Sequence, residues 1–408
     1  MRRTSTLLFL LFALMSVQAS TTVGPDGKSS LAERLGFNAT DKILIINVDD
    51  VGNSHAANAA VIDAMENGLA TSSTIIVPGP WFPEIAAYAK ARPNADFGVH
   101  LAHTSEWKTL KWGPVASKTE VPGLVDSQGY LWPDIASVYK NSTPEQAYIE
   151  ARAQIRKALA AGIDVTHLDS HMGTLQYNEA YFQIYRRLAK EFNLPLRMGS
   201  QELLAAQGGG QQRGQLDSDG TVYPDYLIHG DRKPGESIRD YWKRSISSLK
   251  PGVTELYIHA SVAGDEIKHI TNSWEDRAAE YELFTKDPEI RRILDGQSVK
   301  RIGYRALRDL QRKANGRKPN SLSTVRSIFV EEIPGIGETG RRIEPLLKQA
   351  LALQGFKLVD DRSAADAMLT GAIELETTLD GDGSDRDKSI YLSSSFYLGP
   401  AKHFGRAV

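Results

Sequence analysis

The 408-residue sequence contains no cysteine. Disulfide scaffolds, thiolate zinc sites and cysteine nucleophiles are excluded together. Any metal must be held by carboxylates and imidazoles, and there are nine histidines. An excess charge of one sign is also missing: 48 Lys and Arg stand against 50 Asp and Glu, a net charge of −2. Nothing is left over to neutralise phosphates, so nucleic acid is not the expected partner. Neither G-x-S-x-G nor H-E-x-x-H occurs, which removes the usual signs of serine hydrolases and zincins. There is no internal repeat and no low-complexity tract. With 41% hydrophobic and 24% charged residues, the composition is that of a globular protein.

One apolar run stands apart. Arg2 and Arg3 precede a mostly apolar stretch over 6–16, and Val17-Gln18-Ala19 supplies small residues where a signal peptidase reads. Residues 1–19 are read as a secretory signal peptide cut after Ala19. No later stretch has the roughly 18 apolar residues of a membrane span, so the mature chain is expected to carry none. Export without cysteine fits a bacterial periplasm or exterior.

From Lys42 onward, short apolar runs alternate with amphipathic stretches. Strands are expected at 43–48, 73–77, 96–101, 164–168, 195–199, 253–259 and 299–304. Such near-continuous apolar runs suit parallel strands covered on both faces. Helical patterns fall at 55–67, 81–91, 144–161, 179–192, 238–249, 274–283 and 304–313. A chain of β–α units of this kind is expected to form a closed or nearly closed parallel barrel over 35–313, with a doubly wound open sheet as the alternative. Two insertions, 103–142 and 200–235, follow strands and should lie over the C-terminal face, where substrate sites are built. Residues 314–324 read as a linker. Residues 325–408 read as a small α/β module with strands at 327–333, 356–359, 367–376 and 389–398 and a helix at 340–354.

Asp49-Asp50 ends the first strand, His100 the third and His259 the sixth, while His171 follows the fourth. Adjacent carboxylates at a buried strand end need partners. Neighbouring strand residues point to opposite sides, so the pair should divide its roles. Barrel closure would gather all these ends around one mouth. Asp plus two His suits Zn²⁺ or another divalent ion with open positions. Such an ion lowers the pKa of water and polarises a carbonyl. A free carboxylate beside it can take a proton and a further histidine can deliver one. The residues therefore read as a site for metal-assisted hydrolysis.

The sequence Asn47-Val48-Asp49-Asp50-Val51-Gly52, then Asn58, Gly68-Leu69-Ala70-Thr71-Ser72, Gly98-Val99-His100-Leu101 and Thr166-His167-Leu168-Asp169-Ser170-His171 resembles the YdjC-like (ChbG/HpnK-type) carbohydrate deacetylases. The resemblance runs from Lys42 to Arg312 and ends in Ile302-Gly303-Tyr304-Arg305-Ala306-Leu307. It implies a distorted (β/α)7 barrel of the polysaccharide-deacetylase type. It also implies removal of an N-acetyl group from an amino sugar or oligosaccharide, releasing acetate. Carried over, the metal ligands fall on Asp50, His100 and His171, the base on Asp49 and the general acid on His259. Arg197 falls where related enzymes place an arginine near the base. One divalent ion, Zn²⁺ or Mg²⁺, is the implied cofactor, and an N-acetylated sugar the implied partner. There are departures. Val-Asp-Asp-Val-Gly replaces Ala-Asp-Asp-Phe-Gly, His259-Ala260 replaces His-Pro, and Met172-Gly173-Thr174 replaces a histidine-rich sequel. Two other readings stand beside this one: another metal-dependent amidase on the same barrel, and a catalytically silent envelope carbohydrate-binding protein.

His103 and His167 are read as packing or supporting residues, and Trp107 and Trp112 as candidate walls for a sugar. Gly335-Ile-Gly-Glu-Thr-Gly340 matches a dinucleotide fingerprint, but only 48 residues follow Asp360, too few for that fold. The acidic stretch 380–387 lacks the glycine and terminal glutamate of a Ca²⁺ loop and reads as a polar hairpin turn. The stretch 356–371 loosely resembles modules of bacterial envelope lipoproteins, hinting at an envelope partner for the C-terminal module.

Overall fold

The computed structural model describes residues 29–315, apart from 207, 229 and 231, together with Lys348 and four strands farther on. The expected signal peptide lies outside the described residues. The first strand, β1 (Lys42–Val51), shows why an uninterrupted apolar run is needed: every residue after Lys42 is buried. Ile43 and Ile45 join one apolar cluster with Val253, Tyr304 and Leu307. Leu44, Ile46 and Val48 join another, with the surrounding helices. This period of two puts Asn47 and Asp49 on the Ile43 side of the sheet.

The other strands are β2 (Ser72–Ile75), β3 (Phe97–Leu101), β4 (Val165–Ser170), β5 (Tyr226–Ile228), β6 (Gly252–Ile258) and β7 (Lys300–Arg301). They form one parallel sheet in the order β4-β3-β2-β1-β6-β5, with β7 against the start of β1. The architecture is a parallel half-barrel wrapped by helices. All seven expected helices form, each ending within a turn of its expected bounds. The helix Glu179–Phe192 is typical: Asn178 caps its start, Asn193 closes it at φ 50°, and Tyr181, Phe182, Ile184, Tyr185 and Leu188 fill its buried face.

One expected strand is corrected. Residues 195–199 make a single bridge, Leu168 to Leu196, and the strand beside β6 is β5, inside a segment read as an insertion. Pro195 has no N–H to donate but accepts from Leu168 N–H at 3.0 Å, and the pairing stops after Arg197. The gap between β4 and β5 is crossed instead by extended backbone. Arg197 N–H donates to Leu168 O at 3.0 Å, and Leu196 N–H to Val222 O at 3.1 Å.

Gly98 marks a close approach between β3 and β4. A Cβ there would lie 2.5 Å from the His167 ring. That ring cannot yield, because it stacks on Tyr304 at 3.6 Å and is fully buried. Gly98→Ala should cost about 1–3 kcal/mol by overpacking, read as a lowered midpoint in chemical denaturation. An unchanged midpoint would mean that β3 and β4 can separate freely.

The chain divides into two compact units after Gln311. The second contains β8 (Ser327–Val330), β9 (Lys357–Leu358), β10 (Ala367–Leu379) and β11 (Asp385–Leu398), in the order β11-β10-β8-β9. β10 and β11 pair antiparallel from Ala367–Leu398 to Leu379–Asp385, a longer hairpin than expected. The expected helix at 340–354, apart from Lys348, the glycine-rich 335–340 and the turn 380–384 lie outside the described residues. Among the described residues, no helix is long and apolar enough to cross a membrane.

Candidate active site

Alternation along β1 would send Asp50 to the side opposite Asp49. The backbone prevents this. Asp50 sits at φ 65°, and the register with β2 shifts between Val48 and Val51. This bulge turns both carboxylates toward the C-terminal end of the sheet. Both are buried, at 2% exposure.

His100 and Asp169 are register partners on β3 and β4, so their side chains meet. His100 Nδ1 makes a short hydrogen bond to Asp169 Oδ1. His171 follows β4 in a tight turn, and its Nε2 lies 2.9 Å from Glu106 Oε2. Each carboxylate fixes a ring proton on the outer nitrogen, leaving a lone pair on the inner one. The inner atoms then converge. Asp50 Oδ1 lies 3.4 Å from both His100 Nε2 and His171 Nδ1, and those nitrogens are 3.1 Å apart. Asp50 Oδ1 has no hydrogen-bond partner. Ligand bonds of about 2.0–2.2 Å in a tetrahedral shell give edges of about 3.3–3.6 Å; two edges of the triangle fall in that range and the third, at 3.1 Å, is slightly shorter, so its size is close to that of a transition-metal site.

Electrostatics agree. Burial opposes charge on His100, but Asp169 outweighs it and raises the ring's pKa to about 9. His171 is likewise raised against burial, by Glu106 and Asp50. Burial would raise the Asp50 carboxyl, but Arg277 and the two imidazoles hold it well below the usual range. The pocket attracts positive charge at its centre, as a proton or as a metal cation.

Asp49 occupies a different setting. Arg197 clamps both its oxygens, with Nη1 to Oδ2 at 2.7 Å and Nη2 to Oδ1 at 2.8 Å. Asn47 Nδ2 donates to Oδ1 at 2.7 Å. Burial disfavours the ionised form, but Arg197 outweighs it and holds the carboxyl well below its usual range. The same guanidinium reaches Asp169 Oδ2 at 2.7 Å and Glu255 Oε1 at 2.7 Å, and lies over the Tyr257 ring. Glu255 is raised by burial to about 7 and accepts a short hydrogen bond from Tyr304.

His259 follows β6 and is half-buried. Its backbone N–H donates to buried Glu280 at 2.7 Å, and burial lowers its ring to about 4. Trp107 and Trp112 meet edge to face at 5.7 Å but are only 9% and 3% exposed. Trp112 donates its indole N–H to Thr104 O at 3.0 Å and backs His171 rather than opening to solvent. His103 is fully buried, with Nε2 against Ala147 O at 3.0 Å. Sequence reasoning passed over Asp169, Glu106, Glu255 and Arg277. Asp169 had a signal, since its place before Ser170-His171 puts it beside His100. Arg277 lies 227 positions from the Asp50 it contacts, and no spacing rule connects them.

Known proteins share this unit. Residues 43–296 match the family model described as YdjC-like protein. A carbohydrate deacetylase of Thermus thermophilus is 31% identical over 267 residues, covering 65% of this chain and 93% of that one. Another, of Thermoanaerobacter pseudethanolicus, is 26% identical over 271 residues, covering 65% of this chain and all of its own. A crystal structure from Enterococcus faecalis, assigned as a candidate cellobiose-phosphate cleavage protein, aligns with a TM-score of 0.58 at 24% identity, covering 65% of this chain and 99% of that one. It shows the same fold. With a family match spanning β1 to β6 and the histidines and carboxylates gathered at the C-terminal end of that sheet, the chain belongs to the YdjC-like protein family.

Proposed function

We propose that this protein removes an N-acetyl group from an amino sugar or oligosaccharide, releasing acetate, with one divalent ion held by Asp50, His100 and His171. The observation that carries the reading is the convergence of one carboxylate oxygen and two imidazole nitrogens, with Asp50 Oδ1 left without a hydrogen-bond partner. The names of the relatives support the sugar substrate. Two imidazoles among three donors suit Zn²⁺ better than Mg²⁺, which prefers oxygen.

A bound ion would polarise the acetyl carbonyl and acidify the attacking water. Asp49 stays ionised beside Arg197 and takes the proton as the water oxygen attacks the carbonyl carbon. The C–N bond then breaks, giving acetate and an amine that needs a proton. His259, which follows β6, is the residue assigned here to deliver it. A ring with a pKa of about 4 is neutral at neutral pH. It can donate only after taking up a proton within the same turnover, and the proton that Asp49 takes from the water, passed on to His259 before the C–N bond breaks, is the source.

The test is metal content together with acetate release from a panel of N-acetylated oligosaccharides, for the full chain and for residues 21–315. One bound ion and acetate release in both are expected. Absence of both from the full chain would sink the proposal, and loss from the shorter chain alone would show that the barrel unit is not self-sufficient. His259→Ala should lower kcat about 10²–10⁴-fold with the metal retained. Metal loss in that variant would make His259 a ligand.

A further inference from the structure

The helix Trp274–Thr285 brings Arg277 to the outer side of Asp50. Arg277 Nη2 donates to Asp50 Oδ2 at 2.9 Å. Its Nε donates to Ser273 Oγ at 3.3 Å, and the guanidinium lies 5.3 Å from the centre of the Trp107 ring. The residue is 9% exposed. The other carboxylate oxygen, Oδ1, has no hydrogen-bond partner and faces both imidazoles.

We infer that Arg277 is a positioning residue that makes Asp50 a one-oxygen ligand: by occupying Oδ2 it leaves only Oδ1 for the ion and keeps coordination positions open for water and substrate. This rests on the metal-centre reading above. A carboxylate can bind a cation through one oxygen or both. A second bound oxygen would fill a position that a hydrolytic site must leave free. A guanidinium suits the task because its planar fork fixes direction as well as charge, and an indole face beside it steadies that plane.

The side chain is not needed to dock its helix. Tyr281 OH donates to Asp63 Oδ2 at 2.6 Å, and Glu280 accepts from Trp242 Nε1 at 3.1 Å and His259 N–H at 2.7 Å. Ser261 N–H bonds to the Arg277 backbone carbonyl at 3.2 Å, a contact that any residue would keep. A role in positioning and a role in helix docking therefore predict opposite signs. The guanidinium draws charge from the carboxylate and repels a cation beside it. Its removal should tighten metal binding while spoiling the shell.

The experiment uses the full chain with Co²⁺ as the probe. Affinity is read by chelator competition, coordination by the visible absorption band, and turnover by acetate release. Arg277→Met should bind Co²⁺ about tenfold or more tightly. Its band should weaken as the coordination number rises, and kcat should fall about 10–100-fold, with little change in the Tm of the Co²⁺-loaded protein, in which the ion partners the Asp50 carboxylate. Arg277→Lys keeps the charge without the fork. It should hold affinity near the parent value and still show a weakened band. Loss of Co²⁺ affinity and Tm together in Arg277→Met would overturn the inference in favour of a structural ion pair. Parent-like affinity and band in that variant would overturn it outright. If Arg277→Met fails to fold, the Lys variant decides: a parent-like band there refutes the positioning role. A parent protein that binds no Co²⁺ would refute the metal centre and this inference with it, whereas a failure confined to the variants leaves the metal centre standing.

Discussion

Asp49→Asn should keep its metal and lose its turnover, whereas Asp50→Asn should lose its metal. The two carboxylates are chain neighbours, equally buried, and would be taken for equivalents on composition alone. Their partners separate them. Asp49 faces Arg197, Asn47 and Thr74, none of which binds metal. Asp50 faces His100 and His171. Asparagine nearly matches aspartate in shape but is a very poor base. In Asp49→Asn the triangle is untouched, and Arg197 keeps Asp169 and Glu255, so the fold should hold. The proton acceptor is gone, and kcat should fall about 10²–10⁴-fold with no rescue by added ion. In Asp50→Asn one anionic donor of the three is lost. Affinity for the ion should weaken sharply, and excess ion should restore part of the activity. Metal stoichiometry measured beside kcat decides. If Asp49→Asn is the variant that loses metal and recovers with excess ion, the two roles are reversed. If both variants keep metal and near-normal activity, the site lies elsewhere.

The largest loss of stability is expected at Arg197. Its guanidinium serves Asp49, Asp169 and Glu255 in a pocket where it is itself 5% exposed. Arg197→Met would leave those carboxylates without their cation. Removing one partner from a buried ion pair costs about 3–5 kcal/mol, and here three acids share one base. The pH dependence should also steepen on the alkaline side, where burial already raises Glu255 to about 7 in the parent. In the parent, Asp49 is held below its unfolded pKa. Its contribution is present above the unfolded value and is lost as pH falls through the folded one. Without Arg197, burial raises the folded pKa of Asp49 and Glu255. Their protonated forms are then tolerated at low pH, and stability is lost as pH rises through the raised value. Between pH 5 and pH 8 the denaturation midpoint of Arg197→Met should fall further than that of the parent. A variant within about 1 kcal/mol of the parent would mean that water, not Arg197, satisfies the cluster.

The residues that converge on the site were legible because chain direction does most of the placing. In parallel strands, every residue that ends a strand reaches the same rim, so Asp49, Asp50, His100 and His259 needed only the correct strand ends. Helix bounds were legible for a similar reason, since caps such as Ser54, Thr143 and Asn178 act within a turn. Two features were not. The bulge at Asp50 depends on how β1 sits against β2, and no local pattern encodes a positive φ at an aspartate. The strand expected at 195–199 has the right composition but begins with a proline, and its place beside β6 is taken by Tyr226–Ile228, whose three residues carry too little pattern to stand out. Glu106 and Arg277 come from a loop and a late helix, and only the folded chain brings them to His171 and Asp50.

The gap between β4 and β5 has a consequence for how the half-barrel opens. Elsewhere the sheet is laced by ladders, as in the run of pairs from Lys42–Gly252 to Val48–Ile258. At 195–197 a few backbone bonds cross instead, and the side chain of Arg197 is the fastener. A seam fastened by charge does not fray residue by residue from its ends as a ladder does. It holds or releases as a unit, and release would free Asp49 from its clamp in the same motion. A thinly laced line in the sheet and Asp49, proposed above as the proton acceptor, are thus joined through one side chain.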